Sequence, residues 1–124
     1  MIFTDLLRSM VDGCGGGIAA ALMGRDGISI DQVSSSDASL AGLMSDVGVA
    51  GVEFGRIVDE VRKASDSLAG GQPRECIFVL QRFTVVVHGV DDETFVALVL
   101  EPDGNLGKAR YLIRRHLMAI RAEL

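Results

Sequence analysis

The chain has 124 residues, 48% hydrophobic but only 5% aromatic, and a formal charge of −5. That length buries roughly two-thirds of the unfolded surface, so one domain over residues 1–124 can fold without a metal or disulfide staple. The acidic balance works against nucleic acid and anionic membranes, which reward a basic field, and the lack of Trp leaves a stacking platform poorly supplied. No nucleic acid and no membrane insertion is expected; a protein partner is favoured.

No apolar run approaches the ~18 residues that span a bilayer, and the first five residues lack the basic start and apolar core of a signal peptide. The expected location is the cytoplasm. Cys14 and Cys76 stand far apart with no CxxC pairing, which suits free thiols in a reducing compartment.

Residues 2–12 place Ile2 or Phe3, Leu6 or Leu7, and Met10 at helical spacing, with Gly13 at the stop. Two short strands around Gly24-Arg25-Asp26-Gly27 predict a β-hairpin over 17–33. Residues 34–46 stay open between loop and a fragment of helix. From Val47, apolar residues at Gly51, Phe54, Ile57 or Val58, Val61 and Leu68 predict a long amphipathic helix ending at Gly70-Gly71.

CIFVL, TVVVHGV and TFVALVL follow, three β-branched runs from Cys76, Thr84 and Thr94. Their near-continuous apolar character implies that both faces of the sheet are covered. A last helix over 106–124 turns Leu106, Ala109, Ile113, Leu117, Ile120 and Leu124 to one side. The expected fold is α/β of the α+β kind: a five-stranded antiparallel sheet between helices in the order α-β-β-α-β-β-β-α, with sequence neighbours adjacent in space.

The corner EPDGNLGKARYLIRR has the wrong spacing for a phosphate loop: two residues separate Gly104 from Gly107, and Ala109 rather than Ser or Thr follows Lys108. A structural turn uses every residue instead, with Asn105 as helix cap, Gly104 at positive φ and Gly107 letting the first turn approach the sheet. Gly15-x-Gly17-x-x-Ala20 follows a helix and opens a strand, the reverse of a dinucleotide fingerprint; its glycines suit a strand starting against a covering helix. His88 and His116 have no triad partners, Asp91-Asp92-Glu93 is a hydrated turn, and Arg110, Arg114 and Arg121 suit a solvated face. No catalytic residue, metal or cofactor is expected.

Two surfaces invite a partner. On the long helix, Val49 and Val52 lie off the main apolar stripe beside Glu53 and Arg56, and the strand of Cys76, Phe78 and Leu80 falls at a sheet edge. Self-association would satisfy both, so these seven residues are the expected dimer interface. The hairpin tip, with Arg25 and Asp26 exposed in a two-residue turn and Ile28 half covered, is a third candidate for partner binding.

GRDGISI after a small-residue strand and EPDGNLGKARYLIRRHL at the end make the whole chain resemble the Roadblock (dynein light chain 7) family, in particular its bacterial MglB-like and MglC-like members. The resemblance implies a three-layer sandwich with one helix on one sheet face and two on the other. It also implies a homodimer joined through central helices and edge strands, and a noncatalytic adaptor or regulator of Ras-like small GTPases in cell polarity or motility. Its partner would be the GTPase or its regulator, such as another Roadblock protein. Two alternatives stand beside this: a GTPase-activating protein, and a small-molecule sensor that uses the sheet as a pocket.

Overall fold

The computed structural model describes residues 2–44 and 46–124; Met1, and Ser45 within the stretch left open above, lie outside the described residues. The elements are α1 (Ile2–Gly13), β1 (Gly17–Gly24), β2 (Ser29–Ser34), α2 (Ala38–Ala41), α3 (Val47–Asp66), β3 (Glu75–Val79), β4 (Thr84–Gly89), β5 (Thr94–Leu100) and α4 (Leu106–Glu123). The open stretch thus contains a helical fragment, α2, whose cap Asp37 accepts from the Ser39 N–H at 2.9 Å. Asp46 caps α3 in the same way, accepting from the Gly48 N–H at 2.9 Å.

All five strands form one antiparallel sheet in the order β2-β1-β5-β4-β3. Strand neighbours in sequence are neighbours in space with one exception. β2 and β3 occupy opposite rims, so the segment between them, α3 included, has to cross the sheet. Along β1, β4 and β5 every side chain but those of the two end glycines is buried, and successive side chains go to opposite faces. Ala20, Leu22, Val86 and Leu98 meet α1 and α4, whereas Ala21, Met23, Val87 and Phe95 meet α3. This is the covered sheet that the continuous apolar runs required, with two helices on one face and α3 on the other.

α1 buries Leu7, Met10 and Val11 and leaves Ile2 exposed. Gly17 is where it touches down: a side chain there would overlap the Val11 carbonyl, so only glycine lets β1 begin under the helix. α3 stops at Asp66 rather than continuing to Gly70, because Ser67 caps it and Ala69 takes a left-handed φ of 55°. Leu68, assigned above to the apolar stripe, is consequently among the most exposed hydrophobic side chains.

Candidate protein interface

The outward side of α3 is apolar along four-residue steps. Val49, Ile57 and Val61 are exposed by 56%, 44% and 41%, with Glu53 between the first two. Of the expected sheet-side residues Val47 and Gly51 are buried, and of the open pair Ile57 or Val58 it is Val58 that turns inward; Val61 faces out, and Ala50 joins the buried side. Positions three and four apart fit two adjacent helical faces equally well, and Ala50, a small residue beside Gly51, was the further signal for the side that lies close to a sheet. Val52 corrects in the other direction: it is half-buried and packs into the core beneath α3, so it supplies no second apolar spot. Glu53 and Arg56 pair with each other at 3.5 Å in the open.

β3 forms the rim of the sheet, and none of its five residues is fully buried. Cys76 and Phe78 turn toward the α3 side and pack on that core, while Ile77 packs on the other. The Phe78 ring meets Phe54 of α3 at 4.9 Å, so the edge strand and the helix form one continuous surface. Gly89 donates to the Arg74 carbonyl and Leu80 to that of Phe83, both at 2.9 Å. By the alternation of an antiparallel ladder, the main-chain groups of Glu75, Ile77 and Val79 therefore face away from β4, along an open edge. Val79 is 74% exposed there. Leu80, expected within this strand, lies one residue past its end.

The hairpin tip is built differently from expectation. Its loop runs over 25–28, and Arg25 is half-buried rather than exposed. The Arg25 N–H donates to the Glu93 carbonyl at 2.8 Å, and its Nε is buried with no partner among the described residues. Asp26 is exposed and accepts from the Ile28 N–H at 3.0 Å, closing the turn, and Ile28 stands clear of the protein. Arg25 and Arg56, taken above as parts of separate surfaces, line one cleft of about 230 Å³ floored by Phe95.

Solved structures with this architecture include the Roadblock/LC7 domain from Streptomyces avermitilis, at a TM-score of 0.80 and 15% identity over 95% of this chain and 93% of that one. The gliding protein MglB from Thermus thermophilus follows at 0.76 and 15% identity, covering 92% and 82%. At those identities the likeness is one of fold. MglC from Myxococcus xanthus is 32% identical across 100% of both chains, at a TM-score of 0.70. The chain belongs to the Roadblock family. No protein-family model matches it, and no curated protein does either.

In this Roadblock chain the 101–107 corner is a helix start. The Asn105 side chain accepts from the Lys108 N–H at 3.0 Å and caps α4. Gly104 is not among the glycines at positive φ, contrary to expectation; it is needed because a side chain would press on the Glu101 and Gly15 carbonyls. Gly107 is exposed, and a side chain there would make only an ordinary contact with the Asn105 Oδ1 at 3.8 Å, so it does not serve a close approach to the sheet. Burial raises the thiol pKa of both Cys14 and Cys76, with Glu75 adding to the effect at Cys76, which keeps them protonated and poorly nucleophilic. Arg110 and Arg114 do not simply face solvent: Arg110 donates from Nε to Glu75 at 3.0 Å, and Arg114 lies 3.9 Å from the same carboxylate. No sequence signal linked Glu75 to Arg110, 35 positions apart.

Proposed function

We propose that this single Roadblock domain is a noncatalytic homodimeric adaptor or regulator for a Ras-like small GTPase system in bacterial polarity or motility. The observation that carries the proposal is the junction of an uncovered apolar helix stripe with an open strand edge through Phe54 and Phe78. Val49, Glu53, Arg56, Ile57 and Val61 form the helical half of the dimer interface, and β3 with Leu80 the other half, Cys76 and Phe78 stiffening it from beneath. Burying a valine or isoleucine side chain completely is worth about 1.5–3 kcal/mol, so covering the exposed half of each of several such side chains, twice over in a symmetric pair, stabilises a dimer usefully. Antiparallel joining of β3 edges would add main-chain hydrogen bonds where the open groups now face water.

The motility setting is supported by the 32% identity to MglC and by the gliding role in the name of the Thermus protein. The hairpin tip with Arg25, Asp26 and Ile28 would meet the GTPase or another Roadblock protein at the border of that interface, since Arg25 and Asp26 share a cleft with Arg56. Light scattering over a dilution series tests the core of the proposal: twice the chain mass supports it, and one chain mass at micromolar concentration removes it. Adding the chain to its GTPase separates adaptor from activator, since an activator raises turnover by orders of magnitude.

A further inference from the structure

α4 is a basic element on an acidic protein. It holds Lys108, Arg110, Arg114, Arg115 and Arg121 against Glu123 alone, so it carries +4 where the whole chain carries −5 and the other residues together carry −9. Three of these arginines are engaged with the fold itself, Arg110 and Arg114 at Glu75 and Arg121 through its Nε at the Val90 carbonyl. Lys108 and Arg115 are different: both are exposed and have no acidic partner among the described residues.

Those two sit in a regular row. Lys108, Tyr111, Arg115, Met118 and Ala122 recur at steps of three and four, all exposed, on the side of α4 away from Ala109, Ile113, Leu117 and Ile120. This is the spacing of a helix-pairing seam, with Tyr111 and Met118 one heptad, about 10 Å, apart. Met118 is 78% exposed and Tyr111 56%, both among the large side chains that anchor interfaces.

We infer that the outer face of α4 docks an acidic amphipathic helix of another protein. The partner's apolar residues would meet Tyr111 and Met118, and its carboxylates would meet Lys108 and Arg115. Charge complementarity selects that occupant, because a basic helix on an otherwise negative body attracts acid locally while the rest of the surface repels it. An anionic membrane fits less well: two large apolar side chains do not make the broad face a helix needs to lie in a bilayer surface. α4 lies on the sheet face opposite α3, so the site is separate from the proposed dimer and can be tested in either oligomeric state.

The probe is a synthetic three-heptad peptide with leucine at its seam positions and glutamate beside them, titrated against the full chain by fluorescence anisotropy and amide chemical shifts. Binding is expected, with shifts centred on α4. Added salt should weaken it, and Arg115→Glu and Met118→Asp should each reduce affinity at least about tenfold without lowering the melting temperature. A scrambled peptide of equal charge should bind far less. No binding, equal binding of the scrambled peptide, or undiminished binding of both variants overturns the inference. So does capture of the chain by phosphatidylserine vesicles that Met118→Asp abolishes while the peptide is ignored, which assigns the face to lipid.

Discussion

The rings of Phe54 on α3 and Phe78 on β3 lie 4.9 Å apart at a tilt of 42°, the one aromatic pair among the described residues. Both are half-buried, so the pair braces the edge strand against the helix while part of each ring stays open. Phe78→Ala should destabilise the chain by about 2 kcal/mol, below the 3–5 of a fully buried ring, and should also weaken self-association. Urea denaturation and light scattering measure the two effects; an unchanged midpoint would show that the brace is idle.

The open edge can be blocked without touching the intramolecular ladder. Val79 directs its main chain outward, so Val79→Pro removes no hydrogen bond to β4 and is tolerable on an edge strand. The expected result is one chain mass in solution with little loss of stability. Ile57→Asp should do the same from the helical side. A dimer that survives both changes would place its interface elsewhere.

Gly17→Ala is expected to cost about 3 kcal/mol or more, because the added methyl meets backbone, at the Val11 carbonyl, and backbone cannot rotate away. Gly107→Ala is the control. With nothing nearer than the Asn105 Oδ1 at 3.8 Å, that change should be neutral or stabilise α4 by up to about 1 kcal/mol. Thermal melts check the pair: a clear drop for Gly17→Ala and none for Gly107→Ala.

Burial, and next Arg115 alongside, hold the His116 pKa below its ordinary 6.5. As pH falls through 6.5 the unfolded chain takes up this proton before the folded one, so stability is full above that value and declines until the folded pKa is passed. His116→Gln should flatten the slope of melting temperature between about pH 7.5 and 5.5. An identical slope in both proteins would assign it to other groups.

Ala69 occupies a left-handed conformation that costs an L-residue about 1–2 kcal/mol. Ala69→Gly relieves that strain but adds freedom to the unfolded chain, for a net gain of about 0.5 kcal/mol. A lower denaturation midpoint would contradict this.

Strands were legible because continuous β-branched runs bounded by turn residues are a local signal: the runs at 76–80, 84–90 and 94–100 differ from the structure by at most a residue at an end. The faces of α3 were not. Ile57 and Val58 both satisfy helical spacing, and only the sheet beneath decides that Val58 turns inward and Ile57 out. Val52 was misplaced for the same reason. Arg25 read as an exposed turn residue because nothing local reveals that its side chain reaches across the sheet end toward Gly89. The Glu75 to Arg110 pair likewise joins an edge strand to the last helix, a meeting that requires the completed topology.

β3 is covered by its own molecule on one flank only, while β4 next to it is almost wholly enclosed. If a second copy completes that strand, mass action enters the folding equilibrium, and the melting point should climb with the amount of protein present. Abundance would then set durability in the cell: scarce copies would fray first at this ribbon and fall to proteases, while crowded ones would protect each other.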